Sequence, residues 1–352
     1  MKTIVIAVGS SQLGGAEKQS LLLAKALSSK YQVEMIFLGP RGPFLDKVKE
    51  SGIIFHLSKG SVFSDFIILL NVLRQSRPHT LINFLYRADL LGGLVGKFLR
   101  IRNIINSARN TTWPNETRLK RYKLKFAAKV LPNYVVANSL PAAKWHAAIG
   151  YPEGKLRVIR NFLDIELISE SLSPSRPFHN PLRLGIASRA VMGKGHETLL
   201  KAATLLNEKG LKCEIWFKGP DISIWKDLQT WISIQPVEVN LQDIDTDMAS
   251  WLTSIDIYCG ISESWESDSN SINEAALCKK PLIITNIIDA VDYVPVPEVV
   301  KPDDASEVAN SINRILKTSK SILESDLEER RTNLIHARNT KGIMESWESL
   351  LN

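Results

Sequence analysis

Cysteine is scarce in this sequence, which has three cysteines among 352 residues. No paired spacing relates Cys213, Cys259 and Cys278, so the chain has neither the disulfide framework of a small secreted protein nor a zinc knuckle. The six histidines show no metal-ligand spacing, and no apolar run approaches the ~18 residues that a membrane-spanning helix needs. These absences predict a cytoplasmic protein that holds no metal or other cofactor.

The remaining composition is that of an ordinary globular chain. Hydrophobic residues make up 44% and charged residues 23% of the sequence, which excludes wholesale disorder, and the length favours two domains over one. The first residues, MKTIVIAVGS, superficially resemble a signal peptide. Because their apolar stretch is short and β-branched and a glycine-rich turn follows, we interpret it as a first buried strand.

Strand and helix patterns alternate along the chain in two series. The first covers residues 1–165 and the second residues 181–335, and a Ser- and Pro-rich stretch, residues 166–180, is the expected linker. Short loops between strands and helices predict a doubly wound parallel sheet in each series. Since ligands bind outside the carboxyl ends of such strands, we expect two α/β lobes facing a central cleft. We also expect the helical segment 336–352 to pack back on the first lobe.

Three loops between a strand and a helix carry residues suited to anion binding. The first, residues 9–17, has glycines at 9, 14 and 15 ahead of a helix whose N-terminal N–H groups attract anions. It matches neither the dinucleotide-binding glycine pattern nor a phosphate-binding loop that ends in Gly-Lys-Ser or Gly-Lys-Thr. Taken alone, this loop is explained better as a tight turn.

The second loop, residues 188–196, places two cations beside glycines at the carboxyl end of a strand. Arg189 offers a planar fork and Lys194 a point charge, and together they suit a diphosphate. The alternative is a surface loop that happens to be basic. Its position, equivalent in the second series to the first glycine loop, favours the functional interpretation.

The third loop, residues 259–276, is dense in Ser, Asp and Asn and carries Glu266 and Glu274. A carboxylate there can accept hydrogen bonds from sugar or ribose hydroxyls, and the start of the following helix offers N–H donors to a phosphate. Taken alone, an equally good explanation is that Glu274 complements the helix dipole.

In this order, the three loops resemble the glycosyltransferase family 4 pattern, which belongs to the GT-B scaffold of two Rossmann-like lobes. The resemblance covers nearly the whole chain. It is carried by GGAEKQSLLLAKAL at 14–27, NSLPAAKWHAAIGYPEGKLRVIRN at 138–161, SRAVMGKGHETLLKAATLL at 188–206 and SIDIYCGISESWESDSNSINEAALCKKPLIIT at 254–285. Its most specific part is the E-x7-E pair, Glu266 and Glu274, followed by AALCKKP.

The resemblance implies retaining transfer of a sugar from a nucleotide-sugar donor, expected to be a UDP-sugar, without a metal ion. The catalytic residues it implies are Arg189 and Lys194, which neutralise the departing diphosphate, and Glu266, which holds the transferred sugar. The implied donor site also includes Gly14, Gly15, Ser267, Asn270, Ser271 and Glu274. In that site the Gly15 backbone meets the diphosphate, Glu274 holds the ribose hydroxyls, and N–H groups at 270–271 bind the distal phosphate.

The sequence departs from the family pattern at several positions. Ser267 stands where the family has a glycine that approaches the sugar, and a family-type histidine is missing from the first lobe. Arg109, with Asn110, lies in that neighbourhood and is the candidate for binding the acceptor or the sugar. The D-x-D repeats in residues 243–247 are typical of metal binding on another sugar-transferase scaffold, but here a helix cap with a base-binding loop explains them better.

Positive charge is concentrated in one segment, residues 97–129. This segment has ten Lys or Arg residues and one acid, Glu116, and so carries a charge of +9. The net charge of the whole chain is +7, so the remaining residues together carry −2. Such a segment predicts an anionic partner. A basic helix over 118–129 with an apolar side fits an anionic membrane surface, whereas the alternative is that its apolar stripe packs into the first lobe. Nucleic acid is disfavoured, since no aromatic residues are interleaved on a sheet face.

We therefore expect a peripheral enzyme at the inner face of the cell membrane that transfers a sugar to a lipid-linked or saccharide acceptor. The product would be a bacterial surface polysaccharide such as an O-antigen, a capsule or lipopolysaccharide. Two alternatives stay open. One is a catalytically impaired relative that binds nucleotide sugars, which Ser267 and Ser269 motivate. The other is a sugar-nucleotide epimerase of the same architecture, against which the GGAEK and E-x7-E motifs argue.

Overall fold

The computed structural model describes residues 1–109, 122, 125–126, 128–165, 177–243, 248–263 and 266–351. The chain divides into two compact units, one formed by Met1–Phe162 with Thr340–Asn352 and the other by Leu163–Asn339. Each unit is built on its own parallel sheet. Most of the expected linker, residues 166–176, lies outside the described residues.

The first unit has a seven-stranded sheet in the order β3-β2-β1-β4-β5-β6-β7, with every neighbouring pair parallel. Its strands are β1 (Thr3–Val8), β2 (Gln32–Phe37), β3 (Ile54–Leu57), β4 (Thr80–Phe84), β5 (Asn103–Ala108), β6 (Tyr134–Ala137) and β7 (Leu156–Val158). The helices between them include α1 (Gly15–Ser28), α2 (Phe44–Glu50), α3 (Val62–Ser76), α4 (Tyr86–Phe98) and α5 (Leu140–Ala148).

Helices lie close on both faces of this sheet. The last five residues of β1 are all buried, as expected for a central strand covered on both sides. On α4, a Cβ added to Gly92 would lie 2.3 Å from Asn83 Oδ1, and one added to Gly96 would lie 2.9 Å from Ile104 Cδ1. Glycine at these positions therefore lets the α4 backbone approach β4 and β5.

The second unit has a six-stranded sheet in the order β10-β9-β8-β11-β12-β13, again with every neighbouring pair parallel. Its strands are β8 (Leu182–Ala187), β9 (Cys213–Lys218), β10 (Glu238–Gln242), β11 (Ile257–Gly260), β12 (Leu282–Thr285) and β13 (Glu298–Val300). Its helices include α6 (His196–Glu208), α7 (Lys226–Ile234), α8 (Met248–Ser254), α9 (Asn270–Leu277), α10 (Ala305–Lys317) and α11 (Lys320–Ala337).

The chain then returns to the first unit through α12 (Thr340–Leu351). Trp347 and Leu351 are buried in the hydrophobic core that also contains Ile4 of β1. The side-chain amide of Asn103, at the start of β5, donates to the Leu350 carbonyl oxygen over 2.6 Å. The C-terminal helix is therefore part of the first unit's core.

The strand order of each sheet reverses at one place, between β1 and β4 in the first unit and between β8 and β11 in the second. Helices that follow the two strands at such a point cover opposite faces, so their loops separate and leave a crevice at the carboxyl ends. In the second unit the loop after β8 carries the cations Arg189 and Lys194, and the loop after β11 carries Glu266. In the first unit the loop after β1 carries Gly14.

The predicted fold class is confirmed, since both units are doubly wound parallel α/β sheets. The edge strands β7 and β13 were not predicted, because each has three residues and is too short to show a periodic pattern. Helix α10 was not predicted either, although buried Val308, Ile312 and Ile315 recur there at helical spacing. Within the part of the chain that the structure describes, no helix has the length and apolar character to cross a membrane.

Candidate functional site

The loop after β8 turns into α6 through glycines with positive φ. Gly193 has a φ of 80° and Gly195 a φ of 82°, a left-handed conformation that residues with a side chain disfavour. A Cβ on Gly195 would also lie 2.4 Å from the Ile261 carbonyl oxygen. Glycine at 195 therefore allows this loop to approach the loop that follows β11.

Hydrogen bonds join these two loops and tie them to the sheet. The Glu263 backbone N–H donates to the Gly193 carbonyl oxygen over 2.9 Å. At the end of β12, the Thr285 hydroxyl donates to the Ser262 carbonyl oxygen over 2.7 Å. The loop after β11 is thus held on both sides, by the loop after β8 and by the neighbouring strand.

Lys194 and Glu266 form an ion pair where the two loops meet. Lys194 Nζ lies 2.7 Å from Glu266 Oε2, and the Ser262 hydroxyl donates to the same carboxylate oxygen over 3.1 Å. The side chains of Lys194 and Glu266 are only 8% and 18% exposed. Removing two charges from water is costly unless they are paired and hydrogen-bonded. Here the two charges are opposite, and a hydrogen bond joins them.

The start of α9 lies on the same loop. Ser269 is the N-cap residue, but its side chain makes no capping hydrogen bond; its hydroxyl lies 3.2 Å from that of Ser271. Tyr258 of β11 donates its hydroxyl to Ser271 Oγ over 2.7 Å, and burial raises the pKa of this tyrosine. A helix N-terminus without a side-chain cap is suited to bind an anion.

The other predicted donor-site residues of the second unit lie on these same elements. Ser267 and Glu274 are buried, Asn270 is partly buried at the first position of α9, and Arg189 is exposed on the loop after β8. Among the predicted residues of this unit, Lys194 and Glu266 are in direct contact. The predicted roles of these residues in binding a donor remain predictions.

The predicted site residues of the first unit follow two of its strands, β1 at the switch point and β5 one strand beyond β4. Gly14 is the N-cap residue of α1, with no side-chain cap, and a Cβ on Gly14 would lie 2.4 Å from Glu17 Oε2. At the end of β5, Arg109 donates to Asn161 and to the Ser107 hydroxyl. Its guanidinium lies 5.3 Å from the centre of the Phe84 ring, within the range of a cation–π contact. Asn110 lies outside the described residues.

The D-x-D repeats have their described part, Asp243, just after β10. Asp243 accepts hydrogen bonds from the Ser223 hydroxyl at 2.6 Å and from the Ser223 N–H at 3.3 Å. The first of these bonds is the main reason why the pKa of Asp243 is lowered. Residues 244–247 lie outside the described residues. Among the residues that are described, no group of three or more His, Cys, Asp or Glu side chains is placed to hold a metal ion.

Ser262 and Tyr258 are parts of this site that were not predicted from the sequence. Ser262 contacts Glu266 and Tyr258 contacts Ser271. The position of Ser262, two residues after the end of a strand at the switch point, was an available signal. Tyr258 gave none, because a tyrosine within an apolar strand is ordinarily part of the core.

Two models of glycosyltransferase families match the sequence. The model of Glycosyltransferase Family 4 matches residues 13–167, and the model of Glycosyl transferases group 1 matches residues 181–318. Together they include the switch-point loop residues of both units discussed above, from Gly14 to Glu274. The chain is therefore a glycosyltransferase. No curated protein matches the sequence.

Solved structures of similar fold include several proteins that span the whole chain. Anabaena HepE in complex with UDP-glucose has a TM-score of 0.85 at 17% identity, covering 99% of each chain. Staphylococcus aureus TarM, solved with fondaparinux, alpha-GlcNAc-glycerol and UDP, has a TM-score of 0.76 at 12% identity, with full coverage of both chains. The lipopolysaccharide outer core galactosyltransferase WaaB has a TM-score of 0.64 at 16% identity and covers 100% of this chain and 99% of its own. These similarities show that the glycosyltransferase has the GT-B fold.

His196, the first residue of α6, is a buried histidine two residues after Lys194 in the chain. Its Nε2 lies 3.2 Å from the Ser188 hydroxyl, and its ring packs edge-to-face on Phe217 and Trp225. Burial, with a further contribution from the charge of Lys194, lowers the pKa of His196 to about 3. The imidazole is therefore neutral at physiological pH.

This lowered pKa predicts acid sensitivity of the glycosyltransferase. Below about pH 6.5 the unfolded chain binds a proton at His196 that the folded chain excludes, so the free energy of unfolding falls by about 1.4 kcal/mol per pH unit down to about pH 3. His196→Gln should reduce this slope, measured by urea unfolding between pH 7 and 4. The same substitution at an exposed histidine, His336→Gln, is the control for the loss of a histidine side chain. Equal slopes for His196→Gln and the parent would contradict the expectation.

Proposed function

We propose that this glycosyltransferase transfers a sugar from a UDP-sugar with retention of configuration and without a metal ion. The acceptor is a lipid-linked or saccharide group in the synthesis of a bacterial surface polysaccharide, such as an O-antigen, a capsule or lipopolysaccharide. The observation that carries the proposal is the Lys194–Glu266 pair at the sheet's switch point. The UDP and UDP-glucose bound to HepE of the same fold support the choice of donor.

Stabilising the leaving group is the main chemical requirement of such a transfer. As the bond between the sugar and the diphosphate breaks, negative charge grows on the departing oxygen, and preorganised cations and N–H donors lower the barrier. Lys194 has an ammonium with three N–H donors, and a phosphate oxygen is one of the acceptors that such a charged donor binds strongly. Arg189 on the same loop and the N-terminal N–H groups at Asn270 and Ser271 add positive potential.

The carboxylates of the E-x7-E pair hold the hydroxyl groups of the donor in this proposal. Glu266 binds the transferred sugar and Glu274 the ribose, since a carboxylate accepts hydrogen bonds from hydroxyls. Lys194 and Ser262 fix the orientation of Glu266, so little side-chain entropy is lost when the sugar binds. Ser267, which replaces the family's glycine, is buried and takes part in shaping the sugar site.

The first unit supplies the remaining groups of the proposal. The start of α1 at Gly14 and Gly15 has no side-chain cap, which suits a backbone contact with the diphosphate. Arg109 and Asn110 bind the acceptor or the sugar. The contacts of Arg109 with Ser107, Asn161 and the Phe84 ring orient its guanidinium.

The variants Lys194→Met and Glu266→Gln test the proposal. Both should lower the turnover of a UDP-sugar by roughly a hundredfold or more, because each removes a group that acts on the reacting centre. Turnover is measured as UDP release with a panel of UDP-sugars and saccharide acceptors, in the presence and absence of EDTA, which should make no difference. Lys201→Met is the matched control, since Lys201 is an exposed lysine of α6 paired with Glu197, and its turnover should stay within about twofold.

Folding is checked by circular dichroism, because Lys194→Met leaves a half-buried carboxylate unpaired. Glu266→Gln keeps the shape and the acceptor oxygen, so it answers the question if Lys194→Met is unstable. Normal turnover in folded variants would contradict the proposed site. UDP binding without turnover on any acceptor would identify a catalytically impaired relative, and conversion of the sugar nucleotide without an acceptor would identify an epimerase.

We propose further that the enzyme acts at the inner face of the cell membrane and binds an anionic surface through residues 97–129. On the apolar side of the predicted basic helix, Tyr122 and Phe126 are described and are 71% and 50% exposed, which disfavours the alternative that this side is packed inside. Ala128 of the same helix is buried. Phe98, in the same segment, is exposed as well. Exposed aromatic side chains beside Lys and Arg fit the interface of an anionic bilayer.

Removing three exposed cations of this segment should weaken membrane binding. We expect the triple variant Lys97→Gln, Arg100→Gln, Arg102→Gln to bind vesicles of anionic lipid roughly a hundredfold more weakly, since each cation contributes about 1 kcal/mol near such a surface. Cosedimentation with vesicles measures the partition. The control loses three exposed lysines elsewhere, at 317, 320 and 341, and should bind like the parent. Equal loss in both triple variants would show a non-specific charge effect and contradict the assignment.

A further inference from the structure

A buried arginine connects three separate segments of the second unit. Arg338 follows α11, and its side chain is 1% exposed. Its Nη1 donates to Asp268 Oδ1 over 2.6 Å, and its Nε donates to Asp292 Oδ2 over 2.8 Å. The Asp268 side chain is also 1% exposed. One guanidinium thus joins the end of α11 to the loop after β11 and to the segment between β12 and β13.

The network continues into α9. Asn273 Nδ2 donates to the same Asp268 Oδ1 over 3.1 Å, and the Tyr293 hydroxyl donates to Asn273 Oδ1 over 2.6 Å. Asp268 therefore receives hydrogen bonds both from outside the loop, through Arg338, and from the helix that the loop precedes, through Asn273. All of these side chains are buried or half-buried in the second unit.

The position of Asp268 in the chain makes this network relevant to the site. Asp268 lies two residues after Glu266 and two before Asn270, the first residue of α9, and Asn273 directly precedes Glu274. A displacement of Asp268 therefore displaces both the carboxylate that pairs with Lys194 and the helix start. A shift of about 1 Å in such groups can cost a hundredfold in function.

The energetics of burial make the network rigid. A buried carboxylate is tolerated only where cations and N–H donors satisfy it, and the loss of one partner leaves the other charge unpaired, which is far more costly than loss of a surface ion pair. If the loop moved away from Arg338, Asp268 would lose the cation that compensates its buried charge, and Arg338 would keep Asp292 alone of its two carboxylate partners. Asp268 thus has one favourable position, and the loop follows it.

We propose that Arg338 is a positioning residue of the donor site. Through Asp268 it holds the loop at 266–270 in the geometry that places Glu266 on the sugar and the start of α9 on the phosphate. The proposal rests on the proposed function for the identity of the ligand. Its claim about loop position does not, because that claim concerns the protein without a donor.

Arg330, within α11 itself, offers a matched control. It is also a buried arginine, and its Nε donates to the Pro295 carbonyl oxygen over 2.7 Å. This contact lies in the segment between β12 and β13 and does not involve the loop after β11. Arg330→Met therefore removes a buried guanidinium of α11 with no direct effect on Asp268.

Hydrogen exchange of the protein without ligand tests the position of the loop. In Arg338→Met, and equally in Asp268→Asn, amides at 261–274 should exchange at least tenfold faster than in the parent, whereas Arg330→Met should affect amides near 295 and leave 261–274 unchanged. Unchanged exchange at 261–274 in a folded Asp268→Asn or Arg338→Met variant would overturn the proposal. If Arg338→Met does not fold, Asp268→Asn, which keeps the side-chain shape, decides.

Calorimetry with UDP tests the consequence for the site. At a temperature where all variants are folded, Arg338→Met and Asp268→Asn should bind UDP about tenfold or more weakly, Arg338→Lys should recover part of the affinity, and Arg330→Met should bind like the parent. Equal UDP affinity in all variants despite faster loop exchange would overturn the positioning role. If the parent protein does not bind UDP at all, the proposed function fails, and the exchange result still decides whether Arg338 holds the loop.

Discussion

The candidate site depends on one contact, the ion pair between Lys194 and Glu266, whose atoms Nζ and Oε2 lie 2.7 Å apart. Each partner comes from a different loop, so the pair forms only because β8 and β11 are neighbours in the sheet. Gly195 then lets the two loops approach, since a Cβ there would lie 2.4 Å from the Ile261 carbonyl oxygen. The pair therefore depends on the order of the strands, on the turn after β8 and on glycine at position 195.

The surroundings of the pair show why it has a defined geometry. Ser262 donates to the same carboxylate oxygen as Lys194, and the network of Asp268 and Arg338 anchors the loop further on. A site whose groups are already oriented requires little reorganisation when charge develops on a leaving group. The same burial that orients these groups makes them costly to separate. The stability of the loop and the preorganisation of the site therefore have the same physical cause.

Much of the fold could be predicted from the sequence, because alternating β-branched runs and helical patterns are local signals. A first buried strand, which is β1, and a doubly wound parallel sheet in each series were predicted. The edge strands β7 and β13 were not, since pairing with a neighbour defines three residues as a strand and no local pattern does. Within the site, glycines and charges next to strand ends marked Lys194 and Glu266. Arg338 could not be predicted, because its partner Asp268 is 70 residues away in the chain.

A crystal structure of the protein with bound UDP tests the central claim most directly. The account predicts that the diphosphate lies within hydrogen-bond distance, about 3 Å, of Lys194 Nζ, with the ribose hydroxyls on Glu274 and the distal phosphate at the start of α9. A diphosphate bound away from Lys194, with the Lys194–Glu266 pair facing no part of the nucleotide, would contradict it.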